Sequence, residues 1–156
     1  MIEKTVTIKL SVYDRNQVDA DAKRIIDAAF EIARNAYAPY SGFSVGAALL
    51  LANGEIVTGC NQENAAYPSG LCAERVALFS AGAHYPNVAV KQMAIAALKD
   101  GQPVAVAPCG ACRQVILESL ARQTASFPVY LAEEHKVTKV ENAGDLLPLA
   151  FGPDSL

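Results

Sequence analysis

The chain has 156 residues, of which 52% are hydrophobic and 19% charged, and its formal net charge at pH 7 is −3. This composition predicts one domain spanning residues 1–156 and excludes a disordered chain. The small negative charge excludes the basic field that non-specific nucleic-acid binding requires, and no apolar run approaches the roughly 18 residues of a membrane span. The first ten residues lack the apolar core of a signal peptide, so we expect a cytoplasmic protein whose partner is a small molecule or another copy of itself.

The first part of the chain predicts one strand and one helix. Residues 5–12 alternate between apolar and polar, which is typical of a half-buried strand. The apolar face of that strand consists of Val6, Ile8, Leu10 and Val12. A helix over about 16–37 follows, capped by Asp14 or Asn16 and stopped by Pro39. Residues 1–15 form an N-terminal extension to the rest of the domain.

The middle of the chain predicts a β-hairpin, a helix and a further strand. Two apolar runs, 43–51 and 56–60, flank Asn53-Gly54, a strong short-range signal for a hairpin. A helix then ends near Gly82, and a strand covers about 90–98.

The last third predicts a helix, two strands and a short terminal helix. Pro108 suits the first position of a helix that runs to about Arg122. Strands at 128–132 and 136–140 are separated by so few residues that they should pair antiparallel. Residues 143–150 predict a short helix. The whole pattern indicates an α/β layered domain with a five-stranded sheet flanked by helices and an additional N-terminal strand.

Four cysteines offer the main chemical signal, and three of them fall at predicted helix starts: Cys72, Cys109 and Cys112. The first turn of a helix carries unpaired N–H groups and partial positive charge, which stabilise thiolates. Residues three apart share a helix face, so Cys109 and Cys112 can hold one ion, with Cys72 arriving from a second helix. Three sulfur ligands and one vacant position describe a catalytic zinc site.

Other uses of the cysteines remain open at this point. Cys60 could close the site as a fourth ligand and make the zinc structural, although its place at a strand end favours a small buried apolar side chain. A disulfide is disfavoured in a chain with no secretion signal. A thioredoxin-like redox pair leaves Cys72 without a role.

Two neighbours of Cys72 strengthen the catalytic interpretation. Glu74 lies in the predicted first helical turn, where its side chain leans back toward the metal and could serve as general base for a zinc-activated water. Its alternative role is an ordinary glutamate favoured by the helix dipole. Arg75 shares the face of Cys72 and could donate to the sulfurs, or be a solvated helix arginine.

A metal-binding residue followed by x-E, and later by P-C-x-x-C, is the zinc signature of nucleobase deaminases. The chain therefore resembles the small homotetrameric zinc-dependent cytidine deaminases, within the cytidine and deoxycytidylate deaminase family, from about residue 25 onward. The motifs that carry the resemblance are A-Y-A-P-Y-S-G-F-S-V-G-A-A-L-L at 36–50, G-C-N-Q-E-N-A-A-Y at 59–67, C-A-E-R at 72–75, P-C-G-A-C-R-Q-V at 108–115 and L-L-P-L-A-F at 146–151.

The resemblance implies a three-layer fold with a mixed sheet and one Zn²⁺ per subunit. It implies hydrolytic deamination of cytidine and 2′-deoxycytidine in pyrimidine salvage, with zinc-activated attack at C4 and Glu74 as proton shuttle. It also implies a homotetramer in which subunits share active sites. The substrate-binding residues that it implies are Phe43, Asn61, Glu63, Ala65, Tyr67, Ala73 and Phe151.

Specific roles follow for some of these residues from the same resemblance. Asn61 and Glu63 correspond to ribose-hydroxyl ligands, and Phe43 to an aromatic that packs against base or sugar. Ala65, Tyr67 and Phe151 correspond to positions presented to a neighbouring subunit's site. Without the resemblance, Asn61 would be read as a turn residue and the three aromatic residues as core.

Two alternatives to cytidine deamination stay open. The first is a deaminase of another cytosine-containing nucleoside, nucleotide or polynucleotide, although the chain has no basic patch or glycine-rich loop for a phosphate. The second is a non-catalytic zinc-stabilised interaction module, which would have no use for Glu74.

Overall fold

The structure is a computed structural model that describes all 156 residues, with seven strands and three α-helices. The strands are β1 (Leu10–Asp14), β2 (Phe43–Leu51), β3 (Ile56–Cys60), β4 (Val90–Lys99), β5 (Gln102–Val104), β6 (Val129–Ala132) and β7 (Lys136–Val140). The helices are α1 (Ala20–Ala33), α2 (Ala73–His84) and α3 (Gly110–Leu120), with single 3₁₀ turns at Arg15–Gln17, Tyr67–Ser69, Ala143–Leu146 and Pro153–Ser155. None of the helices is both long and apolar enough to span a membrane.

The seven strands form one mixed sheet in the order β1-β7-β6-β4-β2-β3, and β5 pairs with the end of β4. Only β4 and β6 run parallel, and every other pair is antiparallel. The predicted hairpin at Asn53-Gly54 is confirmed, and Gly54 takes the positive φ of +89° that this turn requires. The antiparallel pairing of 128–132 with 136–140 is also confirmed. The short strand β5 was not predicted.

Both faces of the central strands are buried, as a three-layer architecture requires. Along β2, Ala48 and Leu50 face α1, whereas Ala47, Leu49 and Leu51 face α2 and α3. The predicted apolar stripe of α1 is confirmed and packs on the first of these faces. The α/β layered fold is therefore confirmed, with α1 in one outer layer and α2 with α3 in the other.

One glycine sets the distance between α2 and the sheet. A Cβ added at Gly59 of β3 would lie 2.5 Å from the backbone nitrogen of Ala77 and 2.8 Å from the carbonyl oxygen of Ala73. The absence of a side chain lets the helix backbone pack directly on the strand. The N-terminus of α2 is thereby held against the sheet.

Three helix boundaries differ from the prediction. The cap of α1 is Asp19, which accepts a hydrogen bond from the backbone of Ala22 at 2.8 Å, because a 3₁₀ turn at Arg15–Gln17 intervenes after the strand. Pro108 precedes α3 instead of opening it, because Cys109 takes the N-cap position. The terminal helix shrinks to the 3₁₀ turn Ala143–Leu146.

The N-terminal strand was predicted in the wrong place. It covers Leu10–Asp14, because β7 ends at Val140, the partner of Leu10, and leaves residues 5–9 with no strand to pair with. Its apolar face is not half-buried either. Leu10 and Val12 are 56% and 63% exposed, while the half-buried face carries Ser11 and Tyr13.

Candidate metal centre and its cavity

Three cysteines meet where the N-termini of α2 and α3 converge. Cys72 is the N-cap of α2, Cys109 is the N-cap of α3, and Cys112 lies in the first turn of α3. The predicted placement at helix starts is therefore confirmed. Both helix dipoles direct their positive ends at the sulfurs, which favours thiolates.

The spacing of the sulfurs suits one tetrahedral zinc ion. The Sγ atoms of Cys72 and Cys109 are 3.8 Å apart, those of Cys109 and Cys112 are 3.4 Å apart, and all three lie within 4.8 Å of one another. Zinc–sulfur bonds of about 2.3 Å in tetrahedral geometry place sulfurs about 3.8 Å apart. The three cysteines can therefore hold a metal ion with little movement.

Cys60 stands apart from this cluster. It is buried, and its sulfur accepts a hydrogen bond from Gln62 Nε2 at 3.3 Å. It does not belong to the group of cysteines close enough to share an ion, and all four cysteines are free thiols. The arrangement has three sulfur ligands, which is the open geometry of a catalytic zinc.

The protonation of the cysteines favours metal binding. A hydrogen bond from the Cys112 thiol is the main reason that the pKa of Cys72 falls to about 5, and Arg75 acts in the same direction. The same hydrogen bond, together with burial, raises the pKa of Cys112. Zinc would displace the remaining thiol protons, so metal affinity should fall as the pH is lowered.

Glu74 is buried beside the cysteines. It is the second residue of α2, and only 3% of it is exposed. Burial raises the pKa of its carboxyl group, and the negative charge of Cys72 adds to this rise, while a hydrogen bond from Cys112 opposes it. A carboxyl with a raised pKa is suited to accept and return protons.

Arg75 turns its guanidinium toward the loop before α2. Its Nη2 donates to the carbonyl oxygen of Gly70 at 3.2 Å, while its buried Nε has no partner. The side chain is half-buried and is not the solvated arginine of the alternative interpretation. It contributes positive charge next to Cys72.

A cavity of about 470 Å³ opens in front of Cys72. Its lining consists of Tyr40, Ser41, Asn61, Gln62, Glu63, Asn64, Tyr67, Gly70, Leu71, Cys72 and Arg75. Two backbone hydrogen bonds of 2.9 Å between Gln62 and Leu71 tie the N-x-E segment to the segment that carries Cys72. The cavity is large enough for a nucleoside-sized molecule.

Asn61 is hydrogen bonded to strand β2, and Glu63 to the loop that precedes β2. Asn61 accepts from the backbone of Val45 at 2.7 Å and donates to the carbonyl of Phe43 at 2.9 Å, so its amide extends the ladder between β2 and β3. Glu63 accepts from the backbone nitrogens of Tyr40 and Ser41 at 2.9 and 3.3 Å. The Ser41 hydroxyl also donates to Glu63, at 2.5 Å, and is the main reason that the pKa of this carboxyl is lowered.

Comparison with known proteins identifies the family. The family described as the cytidine and deoxycytidylate deaminase zinc-binding region matches residues 19–127. A cytidine deaminase of Sporosarcina psychrophila is 41% identical over 136 residues, which cover 87% of this chain and 95% of that protein. A cytidine deaminase of Mycobacterium tuberculosis (strain ATCC 25618 / H37Rv) is 41% identical over 141 residues, covering 88% and 95%.

A solved structure agrees with these sequence matches. The crystal structure of cytidine deaminase from Burkholderia pseudomallei superposes with a TM-score of 0.67 at 42% identity, covering 86% of this chain and 100% of the other. The chain belongs to the cytidine and deoxycytidylate deaminase family. The resemblance drawn from the sequence motifs is thereby confirmed.

Of the remaining residues that the family resemblance singled out, only Tyr67 lines the cavity. Tyr67 lies on the wall of this chain's own cavity, is 78% exposed, and meets Tyr40 edge to face with ring centroids 6.3 Å apart. Ala65 is exposed, and Phe43 is half-buried at the start of β2. Ala73 is fully buried in the core beneath α2, so only its backbone could meet a substrate.

Phe151 is far from being a core residue. Its side chain is 62% exposed, although its carbonyl oxygen accepts a hydrogen bond from Gln114 Nε2 at 2.8 Å. That bond fastens the C-terminal segment to α3, the helix that carries two of the cysteines. The alternative interpretation of Phe151 and Tyr67 as core side chains was wrong.

Sequence reasoning missed three residues that position the site. Tyr40 and Ser41 hold the Glu63 carboxylate, and Arg113 donates to the carbonyls of Pro108 at 2.8 Å and Leu146 at 3.3 Å. All three lie inside motifs that carried the family resemblance. Their contacts join segments distant in sequence, so no local pattern could have assigned them.

Proposed function

We infer that this chain is a zinc-dependent cytidine deaminase that hydrolyses cytidine and 2′-deoxycytidine to the corresponding uridines and ammonia. The observation that carries this inference is the meeting of three cysteine sulfurs within 4.8 Å of one another, beside a buried glutamate and at the wall of a nucleoside-sized cavity. Family membership supports the same conclusion.

Cys72, Cys109 and Cys112 would hold the zinc ion. Zinc bound there supplies Lewis acidity, which makes the attacking water more acidic. The protein's part is to keep three thiolates at two helix N-termini, with Cys72 at the wall of the cavity. Arg75 offsets part of the negative charge of the three sulfurs.

Glu74 would carry the protons. Its carboxylate accepts a proton from the attacking water and delivers it to N3 of the cytosine while the oxygen bonds to C4. It then takes the proton from the new hydroxyl group and delivers it to the amino group, so that the C4–N bond breaks and ammonia leaves. Its burial suits these transfers, because it raises the pKa of the Glu74 carboxyl. The pKa difference between this carboxyl and the water and amino group that exchange protons with it becomes smaller.

Glu63 and Asn61 would bind the sugar. The Glu63 carboxylate is fixed by Tyr40 and Ser41 and keeps lone pairs for a ribose hydroxyl. Asn61 retains one N–H and one lone pair beyond its contacts with β2. A fixed carboxylate in the cavity also disfavours a phosphate, which supports a free nucleoside over a nucleotide.

We further propose a homotetramer with shared sites. Phe151 and Tyr67 are exposed aromatic side chains, and Tyr67 lines the cavity, which supports a role for both residues at the site of a second subunit. Phe43 and Ala65 would complete the walls around base and sugar. The four subunits would then form four sites.

The test is the loss of cytidine absorbance with purified protein whose zinc content has been measured. We expect turnover of cytidine and 2′-deoxycytidine, with one zinc per chain. Competition by dCMP and by short single-stranded DNA should be weak. Preference for either competitor would indicate the nucleotide or polynucleotide alternative, and zinc-loaded protein without turnover would indicate a non-catalytic module.

A further inference from the structure

Residues 1–9 and the strand β1 carry an apolar row that no part of the chain covers. Ile2, Val6, Ile8, Leu10 and Val12 are 89%, 61%, 42%, 56% and 63% exposed. Lys4 interrupts the row between Ile2 and Val6. Leu10 and Val12 lie opposite Val140 and Thr138 of β7, on the sheet face of α2 and α3 but beyond both helices. Alternating apolar residues exposed in a row are typical of a strand that packs against something.

The backbone next to this row is also unpaired. β1 is the last strand in the sheet order, so its outer edge offers free N–H and C=O groups. The segment before Leu10 extends past the end of β7 and has no ladder partner on either side. Exposed edges are often blocked by a proline or a bulge, but residues 1–14 contain no proline and β1 shows no register shift against β7.

We propose that two copies of this chain pair through residues 2–10 as antiparallel strands, with the two-fold axis at Val6. The two paired segments then form a two-stranded ribbon that joins the sheets of the two copies at Leu10. The segment lies outside the residues 19–127 that match the deaminase family, and the proposal does not depend on the metal centre.

The charges of the segment select this register. Pairing about Val6 places Glu3 of each copy opposite Lys9 of the other, so that the two-fold axis creates two such ion pairs. It also places Thr5 of each copy opposite Thr7 of the other. On the other face it places Ile2 opposite Leu10 and Lys4 opposite Ile8, where the lysine's aliphatic stem can pack on the isoleucine. Other two-fold registers also place the even-numbered residues of both copies on one face. Only one of them sets residues of opposite charge across from each other, Lys4 with Asp14, and its axis lies at Lys9. That register places the Lys9 side chains of the two copies directly opposite each other, which is unfavourable.

The self-complementary sequence of residues 2–10 indicates that the strand pairing with it belongs to a second copy of this chain. One segment supplies both members of the Glu3–Lys9 pair and of the Ile2–Leu10 pair, as an isologous interface requires. A partner of different sequence would need the same pattern in reverse order. The segment is therefore suited to its own copy.

A disulfide at the symmetry axis tests the pairing locally, whatever the rest of the assembly does. Val6→Cys places two cysteines directly opposite each other, within reach of a disulfide, whereas Thr5→Cys places them diagonally at about 7–8 Å. Under oxidised glutathione we expect Val6→Cys to form covalent dimers at least about tenfold faster than Thr5→Cys or Thr7→Cys alone. A mixture of Thr5→Cys with Thr7→Cys should also cross-link quickly. The unsubstituted protein gives the background from the four native cysteines.

Charge reversal then tests the register. Combined with Val6→Cys, either Glu3→Lys or Lys9→Glu should slow cross-linking about tenfold, because two attractive pairs become repulsive. Mixing these two variants should restore the rate, since each then meets the opposite charge. Lys91→Glu, an exposed change on β4, is the matched control and should leave the rate unchanged. Equal rates for Val6→Cys and Thr5→Cys, or a mixture no faster than its components, would overturn the proposal.

Discussion

At the scale of single residues, the burial and the carboxyl pKa of each glutamate at the site depend on where the neighbouring helices and strands begin. Glu74 is buried because α2 packs directly on β3, and its carboxyl pKa rises because burial disfavours the charged form. Glu63 is the opposite case, since hydrogen bonds from Ser41 and Tyr40 stabilise its carboxylate and lower its pKa. One carboxyl is therefore suited to proton transfer and the other to accepting hydrogen bonds.

The first prediction concerns Glu74. Glu74→Gln should keep the fold and the zinc, because the carboxylate is not one of the three sulfur ligands. It should lose at least about 10²–10⁴-fold in kcat, since one residue serves several proton transfers. Zinc analysis and cytidine turnover measured on the same sample check this. Near-normal turnover would contradict the proposed role of this residue.

The second prediction concerns Glu63. Glu63→Gln should raise KM for cytidine and change kcat little, because the residue is proposed to contact the sugar and not the base. The effect should disappear with 2′,3′-dideoxycytidine, which has no hydroxyl at these positions. Steady-state kinetics with both nucleosides check this, and Glu55→Gln, in the distant turn between β2 and β3, serves as the control. An equal loss for both nucleosides would show that Glu63 acts through the loop and not through the hydroxyls.

At the scale of elements, the close approach of α2 to β3 positions the catalytic centre. Cys72 and Glu74 lie at the end of α2 that Gly59 holds against the sheet. α3 brings the other two cysteines, and Arg113 fastens the loop before it to the C-terminal segment. Two helix starts thereby meet at one point without any contribution from a loop that is free to move.

The third prediction follows from that packing. Gly59→Ala should lower the free energy of unfolding by about 1–3 kcal/mol or more, because the new methyl group overlaps the backbone of α2. It should also weaken zinc retention, since the displaced helix carries Cys72. Thermal unfolding and zinc content measure the two effects. Gly152→Ala is the control, because a Cβ there meets nothing within 4 Å, and equal stability of the two variants would contradict the account.

At the scale of the whole molecule, several apolar surfaces have no cover within one chain. Phe151 is 62% exposed and Phe79 on α2 is 51% exposed. An exposed aromatic residue near a chain end has little reason to be ordered unless it docks on something. The proposed tetramer gives Phe151 such a place at an adjacent site.

The fourth prediction tests the shared site. Phe151→Ala should raise KM for cytidine while zinc content stays the same. Mixing it with Glu74→Gln should yield tetramers in which some sites combine Glu74 of one chain with Phe151 of another, and activity should exceed the sum of the separate variants. Light scattering measures the assembly before and after mixing. A fully active monomer, or a mixture with no gain, would show that each site is complete within one chain.

The sequence by itself determined the layered fold and the chemistry of the metal centre. Two apolar runs and the Asn53-Gly54 turn predict β2 and β3, and the helical stripe predicts α1, because these signals act over a few residues. The cysteine spacing predicts the metal centre for the same reason, since a helix places Cys109 and Cys112 on one face wherever it lies.

Only the tertiary structure decided which residues complete the site and which faces are covered. It separated Cys60 from the other three cysteines, since the Cys60 sulfur accepts a hydrogen bond from Gln62 and lies outside the group that could share an ion. The fold brings the Ser41 hydroxyl within hydrogen-bond distance of Glu63, and it hydrogen bonds the Asn61 amide to β2. These contacts join residues about 16 to 22 positions apart in the sequence, so a local pattern does not predict them. The fold also left the face of Leu10 and Val12 exposed, because alternation indicates that a strand has two different faces but not whether a helix lies over either one.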